Sequence, residues 1–267
     1  MPKEDADFVT ALARGLTVLQ VFDASRPEMT LAEIATAAQL APATARRSLH
    51  TFQALGYIRS SGKRFVLTPK VLDLSASFLS SMNLQQVAQQ HLQDASDQTG
   101  DSASVAVLDG WEVVYIASVP AKRAVRLTAG IGTRYPAYAT SMGRTLLAFA
   151  SEEHRREVLA ASRLVKLTSR TEINPEALWA IFARAKEDGY ASVEDELDYG
   201  VVSVAVPLLA PSGSVVAAVN CSTSPSRVTQ AELIETRLPI LRETSAKISA
   251  ELRRHPALIH AILGKRD

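Results

Sequence analysis

Leu12, Leu16, Leu19 and Phe22 recur at three- and four-residue spacing, which predicts a helix over 11–22 with one apolar, core-facing side. Thr30 then precedes LAEIATAAQL, and Glu33 three residues on completes the pattern of a capping box opening a second short helix. Leu31, Ile34 and Ala35 are its inward positions. A brief break at Leu40 and Ala41 leads to Pro42, which suits the first position of a helix because its missing N–H costs nothing there. In that third helix Ala45, Leu49 and Phe52 fall at i, i+4 and i+7, leaving Ala43, Thr44, Arg46, Arg47, His50 and Thr51 on or near the opposite side. Gly56 stops it. Short β-type runs at 57–59 and 65–67 flank Ser60, Ser61, Gly62, Lys63 and Arg64, a loop with the composition of a hairpin tip. Two helices around a tight turn, followed by a basic hairpin, form the winged version of the helix-turn-helix.

The segment VLDLSASFLSSM after Lys70 carries Val71, Leu74, Phe78 and Leu79 on one side and predicts a linker helix over 70–83. Beyond it the period alternates. A helix over 84–99 precedes two strands, SASVAVL and WEVVYIAS, joined by Asp109 and Gly110, a strong hairpin turn pair. A third strand is predicted over 124–129, helices over 141–150, 152–161 and 175–188, and strands over 203–209 and 215–222. A closing helix over 232–253 is expected to be interrupted or kinked at Pro239. The fold class is α+β in two domains: residues 1–69, the linker 70–83, and residues 84–267 around an antiparallel sheet flanked by helices.

Charge changes this picture locally. The formal net charge is only +1. Yet between Arg46 and Lys70 lie Arg47, Arg59, Lys63 and Arg64 with no Asp or Glu among them, an electrostatic footprint suited to phosphates. On this reading Arg46, Arg47 and His50 meet base edges or phosphates and Thr44 meets phosphate, with Thr51 on the same face. Lys63 and Arg64 reach the backbone or minor groove of double-stranded DNA. The alternative for Arg46 and Arg47, a solvated helix face, stays open. No apolar run is long enough for a membrane helix, and the polar start MPKEDADF is unlike a secretory signal, so the expected compartment is the cytoplasm. With one cysteine, Cys221, a disulfide framework is excluded and a cysteine-based zinc site is not expected.

Catalytic signatures are incomplete. Gly130-Ile131-Gly132 begins a dinucleotide fingerprint but Tyr135 stands where its last glycine belongs, and the five histidines show no metal-type pairing. Glu194, Asp195, Glu196 and Asp198 form an acidic cluster, read as a solvated turn at the entrance of a strand rather than a metal or acid/base site. No catalytic residue, metal or cofactor is expected. The segment AGIGTRYPAYATSMGRTLLAF is more telling: glycines and Pro136 shape a loop, and Thr140 or Ser141 caps a helix whose free N–H groups and dipole suit an anion such as a carboxylate. Ile131, Tyr135, Tyr138 and Met142 supply apolar walls, and Arg134 or Arg144 adds charge. The alternative, that these aromatics are core and the arginines solvated, also stays open.

These residues resemble the IclR family of bacterial regulators over roughly residues 12–252. The helix-turn-helix pattern is carried by RGLTVLQVF, LAEIATAAQLAPATARRSLHTFQALGYI and FVLTPKVLDL; the second domain by residues 136–149, DGYASVEDELDYGVVSVAVPLL and GSVVAAVNCSTS. GTRYPAYATSMGRTLLA is most similar to the subgroup that controls protocatechuate and 4-hydroxybenzoate catabolism. The resemblance implies a GAF/profilin-like second domain, an aromatic acid or a dicarboxylic pathway intermediate as effector, and a homodimer or homotetramer on DNA. It also implies a pocket drawn from Ile131, Tyr135, Thr140, Ser141, Met142, Val201, Ser203, Asn220 and Ser222. Ser203 and Asn220 stand where some members carry Cys and Ser, and Arg144 where many carry Lys, which alters hydrogen-bonding geometry. Two rival readings remain: a DNA-binding protein whose second domain only oligomerises, and a small-molecule-modifying enzyme.

Overall fold

The computed structural model describes residues 7–76, 84–122 and 129–253, with backbone only for 84–86. The chain divides into two compact units, residues 1–78 and 79–267.

The first unit holds helices α1 (Thr10–Gln20), α2 (Leu31–Ala37) and α3 (Pro42–Ala54) with strands β1 (Glu28–Thr30), β2 (Ile58–Ser61) and β3 (Arg64–Leu67). The strands form an antiparallel sheet in the order β1-β3-β2. The capping box at α2 is complete: Glu33 N donates to Thr30 Oγ1 at 3.3 Å and Thr30 N donates to Glu33 Oε2 at 2.7 Å. Gln39 closes the helix-turn-helix in the left-handed region at φ +53°, which lets Leu40 N reach back to Ala35 O at 2.9 Å. Val18, Met29, Ile34, Leu49 and Ile58 make the core.

Three details differ from the sequence pattern. In α1 Gly15 and Val18 are buried and Leu19 and Phe22 pack against the core, whereas Leu12 and Leu16 are exposed together with Phe8 and Val9, so only the second half of the expected stripe faces inward. β2 and β3 continue to a pair between Ser61 and Arg64, shrinking the wing tip to Gly62 and Lys63. After a 3-10 turn over Pro69–Val71, the linker is helical through residue 76, and the rest of the expected helix lies outside the described residues.

The second unit contains α4 (Leu84–Thr99), β4 (Ser102–Asp109), β5 (Glu112–Val119), β6 (Arg134–Pro136), α5 (Ser141–Phe149), α6 (Glu152–Ala161), α7 (Pro175–Asp188), β7 (Ala191–Glu194), β8 (Val202–Leu209), β9 (Val215–Thr223) and α8 (Gln230–Leu252). Its six-stranded antiparallel sheet has the order β6-β5-β4-β9-β8-β7. Side chains alternate across it. Val105, Val204 and Val219 point into a core with α4 and α8, while Ala106, Ala205 and Ala218 point toward α5 and α7. Small residues on that face let α5 approach so closely that Thr145 Oγ1 donates to Ala205 O at 3.2 Å.

Residues 123–128, most of the expected third strand, lie outside the described residues; on the side away from β4, β5 pairs with β6. The closing helix is not interrupted at Pro239: α8 runs unbroken past it. Its second half is tied to the sheet, with Ser245 Oγ donating to Pro207 O at 2.6 Å and Leu209 N donating to Ser249 Oγ at 3.1 Å. Under the sheet Asp101 is fully buried between Arg227 and Arg237, with the Cys221 thiol 3.8 Å from its carboxylate.

Candidate functional site

Two regions gather the residues singled out by the sequence, one in each unit. In the first, Arg46, Arg47, His50 and Thr51 are exposed along α3 and Thr44 is half-buried, because Ala45 and Leu49 turn the other side of the helix into the core. Thr51 Oγ1 donates to Arg47 O at 3.0 Å, which holds the threonine against its own helix. Lys63 is exposed at the hairpin tip beside Gly62, whose φ of +59° suits the tight turn.

Two cations of the basic stretch are otherwise engaged. Arg64 bends back to β1 and α2, where its Nη1 donates to Glu28 O at 3.3 Å and its guanidinium lies 3.7 Å from both Glu28 and Glu33. Lys70 Nζ donates to Leu55 O at 2.7 Å and lies over the Tyr57 ring, sealing the C-terminal end of α3. Acid-free sequence between residues 46 and 70 therefore overstates the free positive charge, since acids from β1 and α2 fold onto it.

In the second unit a small, largely enclosed cavity lies against the sheet at the N-terminal end of α5. Of the nine pocket residues expected, Thr140, Ser141, Val201, Ser203, Asn220 and Ser222 line it. The other three do not. Met142 is fully buried in the core with α7, on the far side of α5. Tyr135 stands on β6, edge-on to Tyr115 with ring centroids 5.7 Å apart, and Ile131 is exposed in the preceding loop. Tyr115 itself lines the cavity, and burial followed by its neighbour Tyr135 pushes its phenol well above the ordinary value.

Sequence reasoning missed the contribution of β4 and β5, namely Ser102, Ser104 and Ser118, and of Val193 and Leu197. The signal was present: serines at alternate positions of β4 put polar groups on the face that carries Ala106 further along.

Thr140, not Ser141, caps α5, accepting from Gly143 N at 3.1 Å, and Arg144 N donates to Thr140 O at 3.0 Å. Among the described residues nothing accepts from the N–H groups of Ser141 and Met142, the first two of the helix. Gly143 is required here. A Cβ on it would fall 2.2 Å from Ala137 O, so the turn that delivers Thr140 packs directly on the helix backbone.

Neither arginine proposed as a source of charge reaches the cavity. Arg134 pairs with Asp109 and Glu112 at 2.8 Å each. Arg144, 3% exposed, donates through Nε to Tyr138 O at 2.8 Å and through both terminal nitrogens to Glu196 at 2.6 and 2.5 Å.

The acidic cluster is accordingly not a solvated turn. Glu196 is 13% exposed and also accepts from Glu172 N at 2.9 Å; Glu194 pairs with Arg170 at 2.6 Å; Asp195 adopts φ +57° and accepts from Gly200 N at 2.7 Å. These bonds fasten residues 195–201, which contribute Leu197 and Val201 to the cavity wall. Among the described residues no charged side chain lines the cavity, and those that do line it offer an anion hydroxyls, an amide and helix N–H groups. Among the described residues no group of three or more His, Cys, Asp or Glu is gathered to hold a metal, and no helix is long and apolar enough to cross a membrane.

The family model of the IclR helix-turn-helix domain matches residues 11–62, and that of the C-terminal domain of the bacterial transcriptional regulator IclR matches residues 76–250. The chain belongs to the IclR family. As an IclR-family protein it is a DNA-binding transcriptional regulator, and the winged helix-turn-helix and the helix-flanked antiparallel sheet are that family's two domains. It is 42% identical to the Pca regulon regulatory protein of Pseudomonas putida over 249 residues, 93% of this chain and 86% of that one. With the p-hydroxybenzoate hydroxylase transcriptional activator of Acinetobacter baylyi it shares 33% identity over 247 residues, 91% of each chain. The crystal structure of an IclR homolog complexed with 4-hydroxybenzoate, from Microbacterium hydrocarbonoxydans, superposes with a TM-score of 0.79 at 28% identity, covering 92% of this chain and 100% of that one.

Proposed function

We propose that this regulator senses a small aromatic carboxylate, of the class of 4-hydroxybenzoate or protocatechuate, in the α5 cavity, and that occupancy changes its affinity for operator DNA. The observation that carries the reading is the composition of the cavity: a capped helix N-terminus with unclaimed N–H groups beside a hydroxyl-rich wall. The relatives point the same way, since one is bound to 4-hydroxybenzoate and another activates transcription for a hydroxylase of that acid. Catalysis is not part of this function. Among the described residues the cavity's serines have no carboxylate, imidazole or amine beside them in its lining to act as a base, and their hydroxyls serve as binding groups.

On the DNA side, α3 enters the major groove with Arg46, Arg47 and His50, Thr44 and Thr51 flank the phosphates, and Lys63 follows the backbone from the wing. Arg64 takes a smaller part because Glu28 and Glu33 already neutralise it. The exposed apolar stripe of α1, with Leu72 and Leu74 after it, fits a second copy of the chain. A two-fold pair sets recognition helices about 34 Å apart and calls for a palindromic operator.

The test is titration of DNA from upstream of the protein's own gene, with and without 4-hydroxybenzoate and protocatechuate, at two salt concentrations. Tight, salt-steep binding that either acid shifts supports the reading. Binding that no acid alters favours a second unit that only oligomerises, and no binding at all reopens the enzyme alternative.

A further inference from the structure

A hydroxyl has one proton to give, so a chain of hydroxyls anchored on a group that cannot donate has a fixed direction. Ser118 Oγ lies 2.9 Å from Ala129 O, a carbonyl that only accepts, and the Ser118 proton is spent there. Ser104 Oγ is 2.9 Å from Ser118 Oγ and is therefore the donor of that contact. Both protons are consumed. What Ser104 turns toward the cavity is lone pairs.

At the α5 end the direction is reversed. Ser203 Oγ donates to Ser141 Oγ at 2.9 Å, so Ser141 keeps its own proton beside the unclaimed N–H groups of Ser141 and Met142. Between the two ends stands Asn220, 5% exposed, whose side-chain amide lines the cavity and has no hydrogen-bond partner among the described residues. Its polar atoms are not sealed in the core but reach the open space of the cavity, where their hydrogen-bonding capacity is available to a ligand.

The register sets the spacing. Ser104 on β4 pairs with Asn220 on β9, which pairs with Ala205 on β8, two residues from Ser203. Two strand separations, about 10 Å, combined with the two-residue offset along the strand, about 7 Å, make roughly 12 Å. That matches a para-substituted benzene ring with a hydrogen bond at each end.

Resting on the reading of this cavity as the effector site, we propose that it selects aromatic acids carrying a hydrogen-bond donor opposite the carboxylate. The carboxylate sits at the α5 end, and a phenolic O–H donates to Ser104, whose acceptor state is enforced by Ser118 and the Ala129 carbonyl. Ser104 and Ser118 are thus specificity-determining residues, and Asn220 contacts the ring between the Ser104 end and the α5 end.

Calorimetry on the full chain tests this with benzoate, 4-fluorobenzoate, 4-aminobenzoate and 4-hydroxybenzoate. The para donors, amino and hydroxy, are expected to bind about ten-fold tighter than the near-isosteric fluoro acid, the worth of one well-placed hydrogen bond. Ser104→Ala removes the acceptor and Ser118→Ala releases the Ser104 proton, so in each the ratio of hydroxy to fluoro affinity is expected to fall to within about three-fold. Equal binding of fluoro and hydroxy acids to the unsubstituted protein, or a ratio that survives in both variants, overturns the selectivity while leaving the effector reading intact. Silence of the whole panel, benzoate included, overturns both.

Discussion

Replacing Glu196 by Gln keeps the shape of the side chain and removes its charge, which makes it a sharp test of what the acidic segment does. Arg144 is 3% exposed and its guanidinium is matched edge to edge by the Glu196 carboxylate. The same carboxylate accepts from Glu172 N. With Gln at 196 the arginine stays buried with no counter-charge, and one of its donors faces an amide NH₂. Breaking a buried pair in this one-sided way costs about 3–5 kcal/mol, mostly because the surviving charge is stranded. For a domain of this size each kcal/mol moves the melting temperature by roughly 2–4 °C, so a fall of roughly 10 °C in the second unit is expected. Thermal unfolding followed by circular dichroism measures it. Glu194→Gln is the matched control: its partner Arg170 is 56% exposed, and solvent screening leaves a shift of at most about 4 °C. If Glu196→Gln melts within 2 °C of the parent, or no lower than Glu194→Gln, the argument that this pair fastens the cavity wall is refuted.

Three further outcomes follow from the geometry. Arg47→Ala is expected to weaken operator binding by about 1–3 kcal/mol and relax sequence choice at one position, while Lys63→Ala weakens all sequences alike and lowers the salt slope by about one; mobility shifts on a mutated operator set separate these, and unaltered affinity takes the residue out of the interface. Gly143→Ala, which in an open helix would gain close to 1 kcal/mol, is expected instead to lose about 3 kcal/mol or more in urea unfolding, because its methyl meets Ala137 backbone. At the α2 cap, hydrogen bonds from Thr30 lower the Glu33 pKa, so its stabilisation is present above the ordinary carboxylate range and is lost as pH falls through the lowered value. Parent and Glu33→Ala should then differ in melting temperature near neutrality and converge in acid; a constant gap down to acid pH contradicts the cap.

Local pattern was most legible where one physical rule decides the outcome. The α2 capping box, the Pro42 start of α3 and the Asp109-Gly110 hairpin were all readable because each depends on a few adjacent residues. Orientation was harder. The spacing of Leu12 and Leu16 marks an apolar stripe but does not say what covers it, and in α1 the core took the neighbouring face through Gly15 and Val18. Charge was misread for a related reason: Arg64 and Lys70 find Glu28, Glu33 and Leu55 O only once distant segments have folded together. Within the cavity, the α5 segment was visible as loop, cap and helix, yet Met142 at the next position turns away from it. The hydroxyls of β4 and β5 went unnoticed because alternation defines two faces without naming which one is hollow.

Cys221 is the single cysteine of the chain, it is buried, and burial followed by the nearby Asp101 pushes its thiol up to about 12. A thiol in that state is inert to alkylating reagents while the sheet stays covered. Its labelling rate at mild alkaline pH is therefore a clock for the opening of the second unit, reporting from one atom and needing no engineered probe. Any molecule that binds only the closed form slows that clock in proportion to its occupancy, so ligands of this regulator can be ranked by how long they delay a single covalent mark.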